Sequence, residues 1–63
     1  MSIEIHTGMA KLRYLEGTFD DISEATDYVF KLMKEGHSPS FIYLYNTETG
    51  ISISVKELFG GFI

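Results

Sequence analysis

The sequence predicts a small α+β domain with the order ββαββ, in which one amphipathic helix packs on one face of an antiparallel sheet. Two patterns point to it. Between Asp20 and Gly36, the residues Ile22, Ala25, Val29, Leu32 and Met33 recur at spacings of three and four. That is the stripe of a helix with one buried side. On either side of this stretch apolar and polar residues alternate with the period of strands. A third observation is length. A chain of 63 residues buries only about 60% of its unfolded surface on folding. Every apolar face therefore has to find a partner, within the chain or in a second copy.

The N-terminal run Ser2 to His6 places Ile3 and Ile5 on one side and Glu4 and His6 on the other. Thr7-Gly8 reads as a tight turn. Folding the chain there sets Ile5 opposite Ala10, Ile3 opposite Leu12 and Glu4 opposite Lys11. In that register the apolar residues share one face and an opposite-charge pair lies on the other. A single long strand from Met9 to Leu15 is the competing reading. Glu16-Gly17-Thr18 then leads into the helix, with Phe19 as a staple residue before the cap. Asp21 followed by Glu24 has the spacing of a capping box. Gly36 supplies a left-handed stop and Pro39 prevents resumption. Acids fall early and lysines late, as the helix dipole favours.

Phe41 to Tyr45 is rich in β-branched and aromatic residues and reads as the strongest strand. A loop over Thr47 to Gly50 pairs Asn46 with Ile51, Leu44 with Ile53 and Ile42 with Val55. Ile42, Leu44, Ile51, Ile53 and Val55 then face the helix, while Phe41, Tyr43, Tyr45, Ser52 and Ser54 face away. A loop one residue shorter would mix serines with the aliphatics, so the first register is preferred. Ser54-Val55-Lys56-Glu57 resembles a second capping box, opening a helical turn over Lys56 to Phe59 that Gly60 stops.

Composition narrows function. Without cysteine there are no disulfides and no Cys-type zinc site. His6 and His37 lack ligand spacing, so neither a metal nor a cofactor is expected. A net charge of −4 argues against a general phosphate-backbone binder. No apolar run approaches the roughly 18 residues of a membrane span. The start lacks the basic-then-apolar pattern of a signal peptide, and a cytoplasmic location without membrane attachment is expected. No catalytic or phosphate-loop motif is present, and an enzyme is not expected.

Two surfaces stand out. One helix cannot cover both faces of a four-stranded sheet. Phe41, Tyr43 and Tyr45, together with Phe59, Phe62 and Ile63 of the C-terminal segment, are therefore expected to form an interface, most simply that of a homodimer. Glu16, Asp20, Asp21, Glu24 and Asp27 form an acidic cluster around the helix start. It is expected either to be a solvated capping face or to engage a larger basic protein, as an acidic inhibitor would. Two alternatives use the aromatic face differently. Lys11, Arg13, Tyr43 and Tyr45 would hold a small ligand or nucleotide at a subunit boundary, or stack single-stranded nucleic acid.

Overall fold

A computed structural model describes residues 2–9 and 11–58. It has four strands and two helices in the order β1 (Ile3–Met9), β2 (Leu12–Phe19), α1 (Ile22–Lys34), β3 (Ile42–Asn46), β4 (Ile51–Ser54) and α2 (Val55–Leu58). A 3₁₀ turn over Pro39–Phe41 precedes β3. The strands form one antiparallel sheet in the order β2-β1-β3-β4. The fold is thus the predicted α+β class.

α1 is bounded as its sequence dictates. Asp21 adopts an extended conformation at the N-cap and its Oδ1 accepts from the Ser23 amide at 2.8 Å. At the other end Gly36 has φ of +109°. This lets the His37 amide donate to the Leu32 carbonyl at 3.0 Å and the Gly36 amide to Met33 at 3.1 Å. These two bonds are the Schellman closure, and they satisfy carbonyls that the last turn would leave free. Ala25, Val29 and Leu32 are buried against Ile3, Ile5, Ile42, Leu44 and Val55. Phe19 and Tyr28 pack at the margin with ring centroids 5.3 Å apart, so Phe19 does link the helix approach to α1.

The C-terminal hairpin has the predicted register, with Asn46 opposite Ile51 and Leu44 opposite Ile53. Asn46 organises its loop. Its Oδ1 accepts from the Glu48 amide at 2.9 Å, and its carbonyl accepts from the Gly50 amide at 2.8 Å. Val55 does not extend β4; it opens α2 and is fully buried. Ser54 Oγ accepts from the Glu57 amide at 3.2 Å, the cap expected there. Phe41 belongs to the 3₁₀ turn and not to β3, because Ser38 and Pro39 start a local turn that consumes it.

The N-terminal hairpin differs from expectation. Its strands run to Met9 and from Leu12, and Ile3 lies opposite Phe19, Ile5 opposite Gly17 and Glu4 opposite Thr18. The expected Ile3–Leu12 and Glu4–Lys11 pairs do not form, and Ile5 has Gly17 as its partner in place of the expected Ala10, which lies outside the described residues. Gly8 is in β1, with φ of +116°. A Cβ there would stand 2.1 Å from the Leu12 carbonyl oxygen. Glycine at this position therefore permits close approach of the two strands and does not make the turn. A bulge at Glu16 completes the change, since Ile5 faces Gly17 while His6 faces Leu15. The extra residue swings Phe19 onto the helix side and Thr18 onto the other. Glu16 itself accepts from the buried Thr7 hydroxyl at 2.7 Å.

Candidate functional site

Both helices lie on the side of the sheet that carries Ile3, Ile5, Ile42 and Leu44. No described element lies over the opposite side. Strand alternation places Glu4 and His6 of β1, Arg13, Leu15 and Thr18 of β2, Tyr43 and Tyr45 of β3, and Ser52 and Ser54 of β4 on that open face. The predicted separation of aliphatics from rings across β3 is therefore present.

The open face is internally organised. The Arg13 guanidinium carbon lies 3.9 Å from the centre of the Tyr43 ring, and Nη1 donates to Ser52 Oγ at 3.0 Å. Arg13 spans β1 to reach these partners. Gly8, opposite Arg13 in the β1–β2 register, has no side chain to obstruct that path. His6 stacks on Tyr45 with ring centroids 6.0 Å apart and 30° between planes, and its Nε2 donates to Glu4 Oε1 at 3.0 Å. Tyr43 and Tyr45 are consequently half-buried, covered on the solvent side by a cation and an imidazole.

The more exposed apolar surface is elsewhere. At the β1–β2 end Met9, Leu12, Tyr14 and Leu15 are 65%, 67%, 62% and 60% exposed. Leu12 and Tyr14 fall on the helix side of β2 and Leu15 on the open face, so this strand is apolar on both faces along the free edge of the sheet. The register expected from Thr7-Gly8 puts Leu12 opposite Ile3 on the apolar face, whereas here it stands exposed. The signal that would have found this exposure is topological. A strand at the sheet edge, reaching beyond α1, cannot bury residues that a central strand would.

A second apolar surface lies on the helix side between the first turn of α1 and the end of β4. Ile3, Ile22, Leu44, Ile51, Ile53 and Leu58 line a groove of about 320 Å³. It forms because α1 packs over β1 and β2, while the much shorter α2 covers only part of β3 and β4.

The remaining predicted positions are distributed as follows. Phe41 is 43% exposed beside the sheet; Phe59, Phe62 and Ile63 lie outside the described residues. Lys11 is exposed in the turn between β1 and β2, away from Tyr43 and Tyr45. The acidic cluster is divided. Asp20, Asp21, Glu24 and Asp27 are exposed around the start of α1, whereas Glu16 is half-buried at the bulge and bonded to Thr7. Among the described residues no group of three or more His, Cys, Asp or Glu side chains is placed to hold a metal ion. No described helix is long and apolar enough to cross a membrane.

No protein-family model, curated protein or solved structure matches this chain. Function is therefore argued from the site alone.

Proposed function

We propose that the chain is a small non-enzymatic interaction module that self-associates, most simply as a homodimer. The observation that carries this reading is the group Met9, Leu12, Tyr14 and Leu15, each at least 60% exposed and gathered along the free-edge end of the β1–β2 hairpin. Burying apolar surface is worth about 25 cal/mol per Å². Large apolar side chains grouped at one site on a small protein mark a contact surface. Tyr43 and Tyr45 lie on the adjoining open face, and their rings, stiffened by Arg13 and His6, suit a contact that loses little side-chain freedom.

The polar groups of the open face are committed to one another, Glu4 to His6 and Arg13 to Tyr43 and Ser52. This favours a structural role for them over catalysis. It also weakens the small-ligand and single-strand readings, which need a free Arg13 and a nearby Lys11. An encounter with a larger basic protein draws some support from Glu24 and Asp27, exposed on α1, and from Asp20, exposed just before it; Asp21 is engaged as the helix cap.

Sedimentation equilibrium across a micromolar dilution series tests the reading. The expected mass at the upper end is twice 7.1 kDa, with thermal stability that falls on dilution. A monomer mass throughout, with unchanged melting, overturns it.

A further inference from the structure

Resting on the self-association reading, we propose how the second copy docks. It pairs edge to edge along β2, antiparallel, about a two-fold axis through Tyr14, so that two four-stranded sheets become one of eight strands.

β2 ends the sheet, and among the described residues it pairs only with β1. Its outer backbone groups are therefore a template for a further strand. Two features limit the usable length. The turn after Met9 bounds it at Leu12, and the bulge at Glu16 breaks the ladder at the other end. The stretch between these limits runs from Leu12 to the bulge residue Glu16, and its midpoint is Tyr14.

Symmetry selects the same residue. A two-fold axis between antiparallel strands keeps faces aligned, so it passes through one residue and pairs its neighbours reciprocally. An axis at Arg13 or at Leu12 draws the turn residue Lys11 into the ladder, opposite Leu15 or Arg13 of the second copy, and leaves Glu16 beyond the paired strands. An axis at Leu15 carries the pairing across the bulge and into Gly17. The axis at Tyr14 avoids all three. It places ring beside ring on the helix side, with Leu12 opposite Glu16 of the second copy. Arg13 then lies opposite Leu15 of the second copy on the open face. Lys11 of one copy lies beside the position that faces Glu16 of the other, a neighbourhood of opposite charge repeated by symmetry. The four exposed apolar residues Met9, Leu12, Tyr14 and Leu15 all lie at or beside this seam, on both faces of the joined sheet.

The absence of cysteine makes single-cysteine variants specific reporters. Residues opposite each other across an antiparallel pair have Cα atoms about 4.5–5.5 Å apart, inside the span a disulfide bridges. Under mild oxidation Tyr14→Cys is expected to become largely covalent dimer, whereas Ser52→Cys, on the strand at the opposite edge of the sheet, forms no cross-link. Because Tyr14→Cys also removes a contact ring, a second arm keeps Tyr14. Leu12→Cys mixed with Glu16→Cys is expected to cross-link in the mixture and in neither variant alone. Circular dichroism checks that each variant is folded. Cross-linking of Ser52→Cys without cross-linking at the β2 positions would show the open faces stacking instead, and would overturn the edge geometry. A wild-type dimer by sedimentation with no β2 cross-link in either arm also overturns it, while leaving self-association standing. A wild-type monomer overturns both.

Discussion

Ile42 and Ile51 sit in the same hairpin and on the same face, yet the fold treats them differently. Ile42 is fully buried in the core formed by the sheet and the two helices, and Ile51 is 63% exposed at the rim of the groove. Replacing each by valine removes the same methylene group. At Ile42 the loss leaves a small void, and such truncations cost about 0.5–1.5 kcal/mol. Domains have about 0.05–0.15 kcal/mol of stability per residue, or roughly 3–9 kcal/mol for a chain of 63 residues. The change is thus a sizeable share of the whole. For a domain of this size 1 kcal/mol moves Tm by about 4–8 °C, so Ile42→Val is expected to lower Tm by about 2–12 °C. Ile51→Val is expected to stay within about 0.5 kcal/mol of the parent. Thermal unfolding followed by circular dichroism reads both, at one matched protein concentration because association alters Tm. Equal shifts, or a larger shift for Ile51→Val, would refute the uneven cover of the helix-side face, buried at Ile42 and open at Ile51, from which the groove is derived.

Three further substitutions test separate parts of the structure. Asp21→Ala removes the acceptor for the Ser23 amide and is expected to cost about 1 kcal/mol in urea unfolding, whereas Asp27→Ala, exposed within α1, is expected to cost less than about 0.5 kcal/mol. Gly8→Ala forces a Cβ against the Leu12 carbonyl oxygen at a positive φ, with an expected loss of about 1–3 kcal/mol; an unchanged melting curve would contradict the close approach of β1 and β2. Arg13→Ala removes the guanidinium above Tyr43 and is expected to cost about 0.5–1 kcal/mol, with tyrosine fluorescence reporting the newly exposed ring.

Much of this architecture can be read from residue types, and the failures have physical causes. The helix limits were legible because Asp21 and Gly36 each do a job that few residues do, a cap and a left-handed stop. The β3–β4 register was legible because only one loop length keeps Ile42, Leu44 and Ile53 on a single face. The β1–β2 register was not. Gly8 resembles a turn residue, but its freedom is used for contact between strands. A bulge at Glu16 also breaks the period-two rule on which the reading depended. The error carried into the site. With β2 folded back from Thr7-Gly8, Leu12 would pack in the core opposite Ile3. With the actual pairing to Met9, it stands at the free edge. The rings of Tyr43 and Tyr45 lie on the expected side, but their cover is not legible: Arg13 reaches Tyr43 only in the actual β1–β2 register, and His6 meets Tyr45 because β1 and β3 are neighbours, which strand patterns alone do not specify.

Amide hydrogen exchange along β2, followed as a function of protein concentration, tests the account most directly. In a lone subunit the β2 amides that point away from β1 have no partner and exchange rapidly. The account predicts that those between Leu12 and Glu16 become protected as concentration rises, in step with dimer formation, while amides at the β4 edge do not change. Outward β2 amides that exchange equally fast at every concentration would contradict it.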